Sequence, residues 1–233
     1  TNRGVIETAA VVANLLPQAL SGLCNDEAVQ TRLEPQSRLV EDGWGACMLY
    51  RVIQDHDGLP AAPHHKQLIA DTDQPFLEGN HIFCSVSGRD EVHRGPANTR
   101  VMTISTHVPL PTLRHQTASQ RACYTDIVQA TMRQTLAKRA PELTEGLIHE
   151  LPASPRTFER FTGRPEGLVG GVPRRAGMHN YRRLSPLQAA PGLVLAGDSV
   201  FPGQSTLAVS LGGIKAAEVI AHRCKREQQA LVG

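Results

Sequence analysis

Chemistry-bearing residues concentrate in one stretch, Leu193 to Ile220, LVLAGDSVFPGQSTLAVSLGGIKAAEVI. It holds a Gly197-Asp198 pair, a Pro202-Gly203 turn, a Gln204-Ser205-Thr206 run of hydrogen-bonding side chains, and Leu207 opening a long apolar segment. A glycine turn that ends at a helix N-terminus presents free backbone N–H groups and partial positive charge, which suits a phosphate or a carbonyl oxygen of a cofactor. The dipole alone stabilises an anion by roughly 0.3–1 kcal/mol, so such a turn needs further contacts to hold a large ligand. An ordinary βα unit with Asp198 as a turn residue has the same bare pattern. Other constellations are weaker. The ten histidines include no HxxxH or HxH pair, so no metal site is expected. No GxSxG elbow is present for a serine hydrolase.

The elements that must position this turn are legible around it. Leu193 to Ala196 is a short apolar run bounded by turn residues, as expected of a strand buried on both faces. The segment after Leu207 is apolar on nearly every side except Ser210, Lys215 and Glu218, which reads as a buried helix. His222, Arg223, Lys225 and Arg226 crowd its far end, where the dipole favours cations. Upstream, Ile6 to Asn14 reads as a buried strand, followed by a short helix over 15–23, with 33–41 a polar helix or loop. Strands are expected over 44–53, 66–70, 81–86 and 99–108, the last with β-branched enrichment, giving an antiparallel or mixed sheet. Thr117-x-x-Gln120 is a capping box opening a helix to about Arg139, which Pro141 stops. Ser154-Pro155 caps a second helix ending near Gly163. Arg174 to Arg183 reads as a basic surface loop.

Length and composition bound the rest. The chain has 233 residues, enough for one large or two small domains, and 40% hydrophobic residues to fill a core. A formal net charge of +2 with scattered Lys and Arg gives no basis for nucleic-acid binding. Five widely spaced cysteines without a CxxC argue against a disulfide framework and point to reduced thiols in a cytoplasmic-type compartment. No apolar run is long enough to span a bilayer, so any membrane contact is expected to be peripheral. The start at Thr1 suggests a piece of a longer product.

Gly197-Asp198-Ser199, Phe201-Pro202-Gly203-Gln204, Ala208-Val209 and the Gly212 to Ala217 run together resemble the C-terminal signature of the phytoene desaturase and carotenoid isomerase family of FAD-dependent oxidoreductases. Softer likeness extends through HHKQLIAD (64–71), EGNHIFCSVSGRD (78–90), RGPANTRVMTISTH (94–107) and PRTFERFTGRPEGLVGG (155–171), closest to the carotenoid 3,4-desaturase-like branch. The resemblance implies an α/β (α+β) architecture, the C-terminal portion of a two-domain Rossmann-like flavoprotein. Residues 1–16 would be a strand of the FAD domain, 17–162 the substrate-binding domain, and 163–233 the C-terminal part of the FAD domain.

The resemblance further implies that Asp198 binds a ribityl hydroxyl of FAD, with Gly197, Pro202, Gly203, Gln204, Ser205, Thr206 and Leu207 against the pyrophosphate and flavin ring. No catalytic acid or base is identified. The expected reaction is dehydrogenation of an apolar polyene by hydride transfer to flavin, or else cis-trans isomerisation of one, with the sheet of 44–108 lining the substrate. A flavin amine oxidase relative and a non-catalytic interaction module are further readings. The GxGxxG unit of the family is missing from these residues: Gly43-Trp44-Gly45 is the sole GxG, and Met48 stands at the third glycine position. The FAD site is therefore incomplete here, and the expected partners are an N-terminal-half chain or a second copy of this one.

Overall fold

The computed structural model describes residues 4–173 and 187–232. They form a mixed α/β structure of six α-helices and two sheets, divided into two compact units. One unit comprises residues 1–43 and 170–233, the other residues 44–169. The divisions between the compact units fall at Gly43/Trp44 and Val169/Gly170. Helices α1 (Pro17–Leu23) and α2 (Glu27–Glu41) bury Leu20, Val29 and Leu33 in one cluster with Ala13, Leu195 and Val200. The basic segment 174–183 lies outside the described residues.

The first unit is built on a three-stranded sheet in which β1 (Val11–Ala13) pairs in parallel with β8 (Leu193–Leu195), and β7 (Gln188–Ala190) pairs antiparallel on the other side of β8. The central strand is the buried one, as its apolar run requires: Val194 and Leu195 are fully enclosed. Helix α2 begins six residues before the polar helix or loop expected over 33–41, because Asp26 caps it through the amides of Ala28 and Val29. It continues through Pro35.

Two expectations fail in this unit. The strand foreseen over Ile6 to Asn14 shortens to β1, an edge strand whose Val11 and Val12 are exposed. Helix α6 (Thr206–Val232) forms as foreseen but is not buried. Gly212 and Ala216 are its enclosed positions, while Leu207, Leu211 and Ile214 point outward, Leu207 with 72% of its surface exposed. Small residues let α6 lie close over the sheet, and its large apolar side chains occupy the opposite face.

The second unit is a five-stranded antiparallel sheet in the order β3-β4-β5-β2-β6. Its strands are β2 (Trp44–Gln54), β3 (His64–Ile69), β4 (His81–Val86), β5 (Thr99–Pro109) and β6 (Leu147–Ala153). Four of these were foreseen; β6 was not, since LIHELPA carries a proline and a buried glutamate partner in place of an apolar alternation. β2 and β5 run antiparallel over their full lengths, Trp44 opposite Pro109 and Gln54 opposite Thr99. Helix α3 (Leu110–Arg114) continues directly from β5.

Helix α4 (Ala118–Arg139) opens on the foreseen capping box: the Thr117 Oγ1 accepts from the Gln120 amide, and Gln120 Oε1 accepts from the Thr117 amide. It buries Val128, Met132 and Leu136 on one face of the sheet, where Leu49, Ile82 and Ile104 are fully enclosed. Helix α5 (Pro155–Thr162) starts at Ser154 and ends at Gly163 in a left-handed conformation.

Candidate functional site

The turn between β8 and α6 brings the sequence-identified residues together. Gly197 leaves β8 with φ +111°, and a Cβ there would stand 2.6 Å from the Asn14 Oδ1 that follows β1. Glycine is required on both counts, the positive φ and the close approach. Asp198 and Ser199 pack over Gly171, whose Cβ position lies 2.9 Å from Asp198 Oδ1 and 2.6 Å from Ser199 Oγ. The peptide bond between Phe201 and Pro202 is cis, and Gly203 is buried.

Two predicted side chains are already committed within the protein. The Gln204 Nε2 donates to the Gly170 carbonyl, so this amide fastens the turn to the start of the returning chain. Ser205 sits with φ +99°, in a region L-residues rarely occupy, and its Oγ accepts from the Ala208 amide while its carbonyl accepts from the Val209 amide. Thr206 and Leu207, the first residues of α6, have amides with no intrahelical acceptor and exposed side chains.

Sequence reasoning passed over Ser199 as a site residue. Its side chain is 2% exposed and its Oγ finds no hydrogen-bond partner among the described residues. A buried hydroxyl without a partner costs about 1–3 kcal/mol, so it points to a group that is to be supplied. The hydroxyl of Ser199, the carboxylate of Asp198 and the open amides at the α6 terminus form a donor-and-acceptor set of the kind that sugar hydroxyls and a pyrophosphate require.

The second unit contributes a surface with an unusual charge distribution. Alternation along the strands sends every formal charge of the sheet to the face covered by α4. There Arg51, 5% exposed, donates from Nε to Glu150 Oε2 at 2.6 Å, and Arg133 of α4 donates from Nη2 to Glu150 Oε1 at 2.7 Å. Burial pushes the Glu150 carboxyl up, but hydrogen bonds and charge from Arg133 and Arg51 outweigh it and hold it below the usual carboxylate value. Arg100, fully buried, donates to the Ser87 carbonyl at 2.7 Å and reaches Asp55 at 3.5 Å. Lys66 pairs with Glu142.

The opposite face carries no Asp, Glu, Lys or Arg. From β2 it presents Trp44, Ala46, Met48, Tyr50 and Val52; from β5, Val101, Thr103, Ser105 and His107. From β4 come His81, Phe83 and Ser85, from β3 His65, Gln67 and Ile69, and from β6 His149 and Leu151, the latter opposite Tyr50. Most of these side chains are half-buried or exposed. Rings recur on it: His65 stacks on Phe83 at 5.5 Å between centroids, and Trp44 meets His107 edge-on at 6.3 Å. Hydropathy alternation indicated strands here without saying which face was open; the position of α4 settles that.

Among the described residues no three His, Cys, Asp or Glu side chains converge as a metal site, and no helix is long and apolar enough to cross a membrane. The five cysteines are free, and burial pushes the thiols of Cys47 and Cys84 up to about 12.

No protein-family model matches the chain. Part of it is similar to the chloroplastic prolycopene isomerase of Arabidopsis thaliana, 32% identical over 106 residues, which are 45% of this chain and 18% of that protein. A prolycopene isomerase of an Oncidium hybrid cultivar is 32% identical over 95 residues, 41% of this chain and 16% of the relative. The corresponding protein of Daucus carota is 23% identical over 168 residues, 72% of this chain and 27% of the relative. The matched regions thus span less than a third of these curated relatives' length.

Proposed function

We propose that these residues are the C-terminal portion of a flavin-dependent carotenoid isomerase, with the β8–α6 turn as one wall of the FAD site and the uncharged sheet face as the floor for a polyene. The observation that carries this reading is the similarity to prolycopene isomerases, which favours isomerisation over the desaturation that the sequence signature first suggested. Bound flavin would supply a reversible two-electron centre. Asp198 would accept a hydrogen bond from a ribityl hydroxyl, Ser199 Oγ would donate to a neighbouring cofactor oxygen, and the Thr206 and Leu207 amides would face the pyrophosphate. On the sheet, Met48, Tyr50, Phe83 and Leu151 would hold the polyene by apolar contact and exclude water.

The adenosine-binding GxGxxG unit would be contributed by chain outside these 233 residues. Two features of the first unit favour a partner of that kind. β1 is an open edge next to a parallel pairing, and α6 exposes the Leu207, Leu211 and Ile214 stripe, whose spacing is that of an apolar helix face. A peripheral membrane contact is compatible with delivery of so apolar a substrate.

The test is product analysis. The chain, combined with a GxGxxG-bearing N-terminal segment and flavin, is incubated with a cis-polyene. A product of unchanged mass and altered geometry supports the isomerase reading. A product two hydrogens lighter overturns it in favour of desaturation.

A further inference from the structure

One corner of the uncharged face departs from its general character. Two residues beyond the last β4–β5 pair, Phe83–Ser105, lie His81 and His107, on the same face and close enough for the charge of His81 to act on His107; the Thr106 hydroxyl donates to the His81 carbonyl. Phe76 lies 6.3 Å from the His81 ring, and Trp44 lies 6.3 Å from the His107 ring, so four rings line the end of the β2–β5 pair. No group among the described residues hydrogen-bonds either imidazole. The carboxylate of Glu78, whose amide donates to the His107 carbonyl, accepts from the Tyr124 hydroxyl.

Burial holds the His81 imidazole below its usual value, and burial with the positive charge of His81 does the same for His107. Both shifts favour the neutral imidazole. A neutral imidazole offers one N–H donor and one acceptor nitrogen. The pair can donate to a carbonyl oxygen or accept from a hydroxyl, and its neutrality keeps the apolar ligand beside it free of charge repulsion or desolvation cost.

We infer that the Phe76–His81–His107–Trp44 corner is a subsite for an oxygen-bearing end group of the ligand, so that the preferred substrate is an oxygenated polyene rather than a pure hydrocarbon. The inference rests on the polyene reading and refines it. The length of the surface suits such a molecule: eleven-residue strands extend about 36 Å at roughly 3.3 Å per residue, and the histidine corner lies near one end. The rest of the face supplies hydroxyls of Ser, Thr and Tyr, the Gln67 amide, the separate imidazoles of His65 and His149 and apolar contacts, whereas this corner carries two imidazoles, each against an aromatic ring.

Trp44 is the sole tryptophan of the chain and lies against His107, so its fluorescence reads occupancy of the corner directly. The full chain is titrated in mild detergent with β-carotene and with its dihydroxylated counterpart zeaxanthin, following Trp44 quenching. Zeaxanthin is expected to bind roughly 2- to 10-fold more tightly, the ratio that one neutral hydrogen bond confers. His81→Phe and His107→Phe together abolish the preference of zeaxanthin over β-carotene; His107→Gln, which keeps a donor and an acceptor, retains part of it. Circular dichroism verifies that each variant is folded, and the Gln variant carries the test if a Phe variant is not. Equal affinity for the two probes in the native protein, or a preference that survives in the double Phe variant, overturns the inference while leaving the polyene reading standing. Absence of quenching by either probe overturns both.

Discussion

Removing the Glu150 carboxylate tests how the second unit keeps charge off its open face. Glu150 receives Arg51 at 2.6 Å and Arg133 at 2.7 and 2.9 Å, but the two arginines are not equivalent. Arg51 is 5% exposed, so Glu150→Ala leaves its guanidinium enclosed without a counter-ion, which costs about 3–5 kcal/mol. Arg133, with 40% of its side chain exposed, regains water and adds little. The loss is a large fraction of the ~5–15 kcal/mol that holds a domain folded. Urea unfolding followed by Trp44 fluorescence reports on the unit that contains the triad. The double variant Arg51→Met/Glu150→Leu, in which no charge is buried, is expected to recover most of the stability, since apolar replacement of a buried ion pair is often neutral or better. A cost for Glu150→Ala below ~1 kcal/mol, or a double variant as unstable as the single one, refutes the reasoning.

Three further outcomes follow from the same geometry. Placing a charge on the open face with Thr103→Glu, at a half-buried position opposite Tyr50, should leave the urea midpoint nearly unchanged, as surface substitutions do within ~0.5 kcal/mol, yet weaken polyene quenching of Trp44 by at least about 10-fold. Stability should decline as pH rises past 9.0, because unfolded Cys47 and Cys84 release protons that the folded thiols, raised to about 12, retain, and it should be level from there down to pH 6.5. It should decline as pH falls below that value, because unfolded histidines take up protons that His81 and His107 resist, and decline further below pH 4.5, because unfolded Glu142 and Glu150 take up protons that the folded carboxylates resist; stability that rises on acidification through either range would contradict the assignment. In thiol titration of the folded chain, exposed Cys123 should react first, and Cys47 and Cys84 only on unfolding, being buried with thiols raised to about 12.

How far the sequence reached depended on whether a signal was local. The β8–turn–α6 order, the strands at 44–53, 81–86 and 99–108, and the helices opened by Thr117-Gln120 and Ser154-Pro155 are all written in short-range patterns: apolar runs, caps and turn residues. The failures are those of tertiary context. α6 reads as buried because its composition is apolar, but composition does not state what packs on Leu207, Leu211 and Ile214. β6 was missed because its stabilising residue, Glu150, finds Arg51 at a separation of 99 residues. The open face of the sheet could not be chosen from alternation, since both faces carry apolar residues; the absence of formal charge on one of them becomes visible when the register of all five strands is combined. In the turn itself, Gln204 had the right type for a ligand contact, yet it bonds the Gly170 carbonyl, and the hydroxyl left without a partner is that of Ser199.

The central claim, that the β8–α6 turn is a wall of a flavin site, is tested most directly by flavin absorbance after the chain is combined with a GxGxxG-bearing segment and passed through a desalting column. The account predicts one flavin retained per complex, retention reduced about 10-fold or more in Asp198→Ala and measurably in Ser199→Ala, each loss reflecting a hydrogen bond to the cofactor of roughly 1–3 kcal/mol. Flavin retained equally by the native chain and by the Asp198→Ala/Ser199→Ala double variant would contradict it.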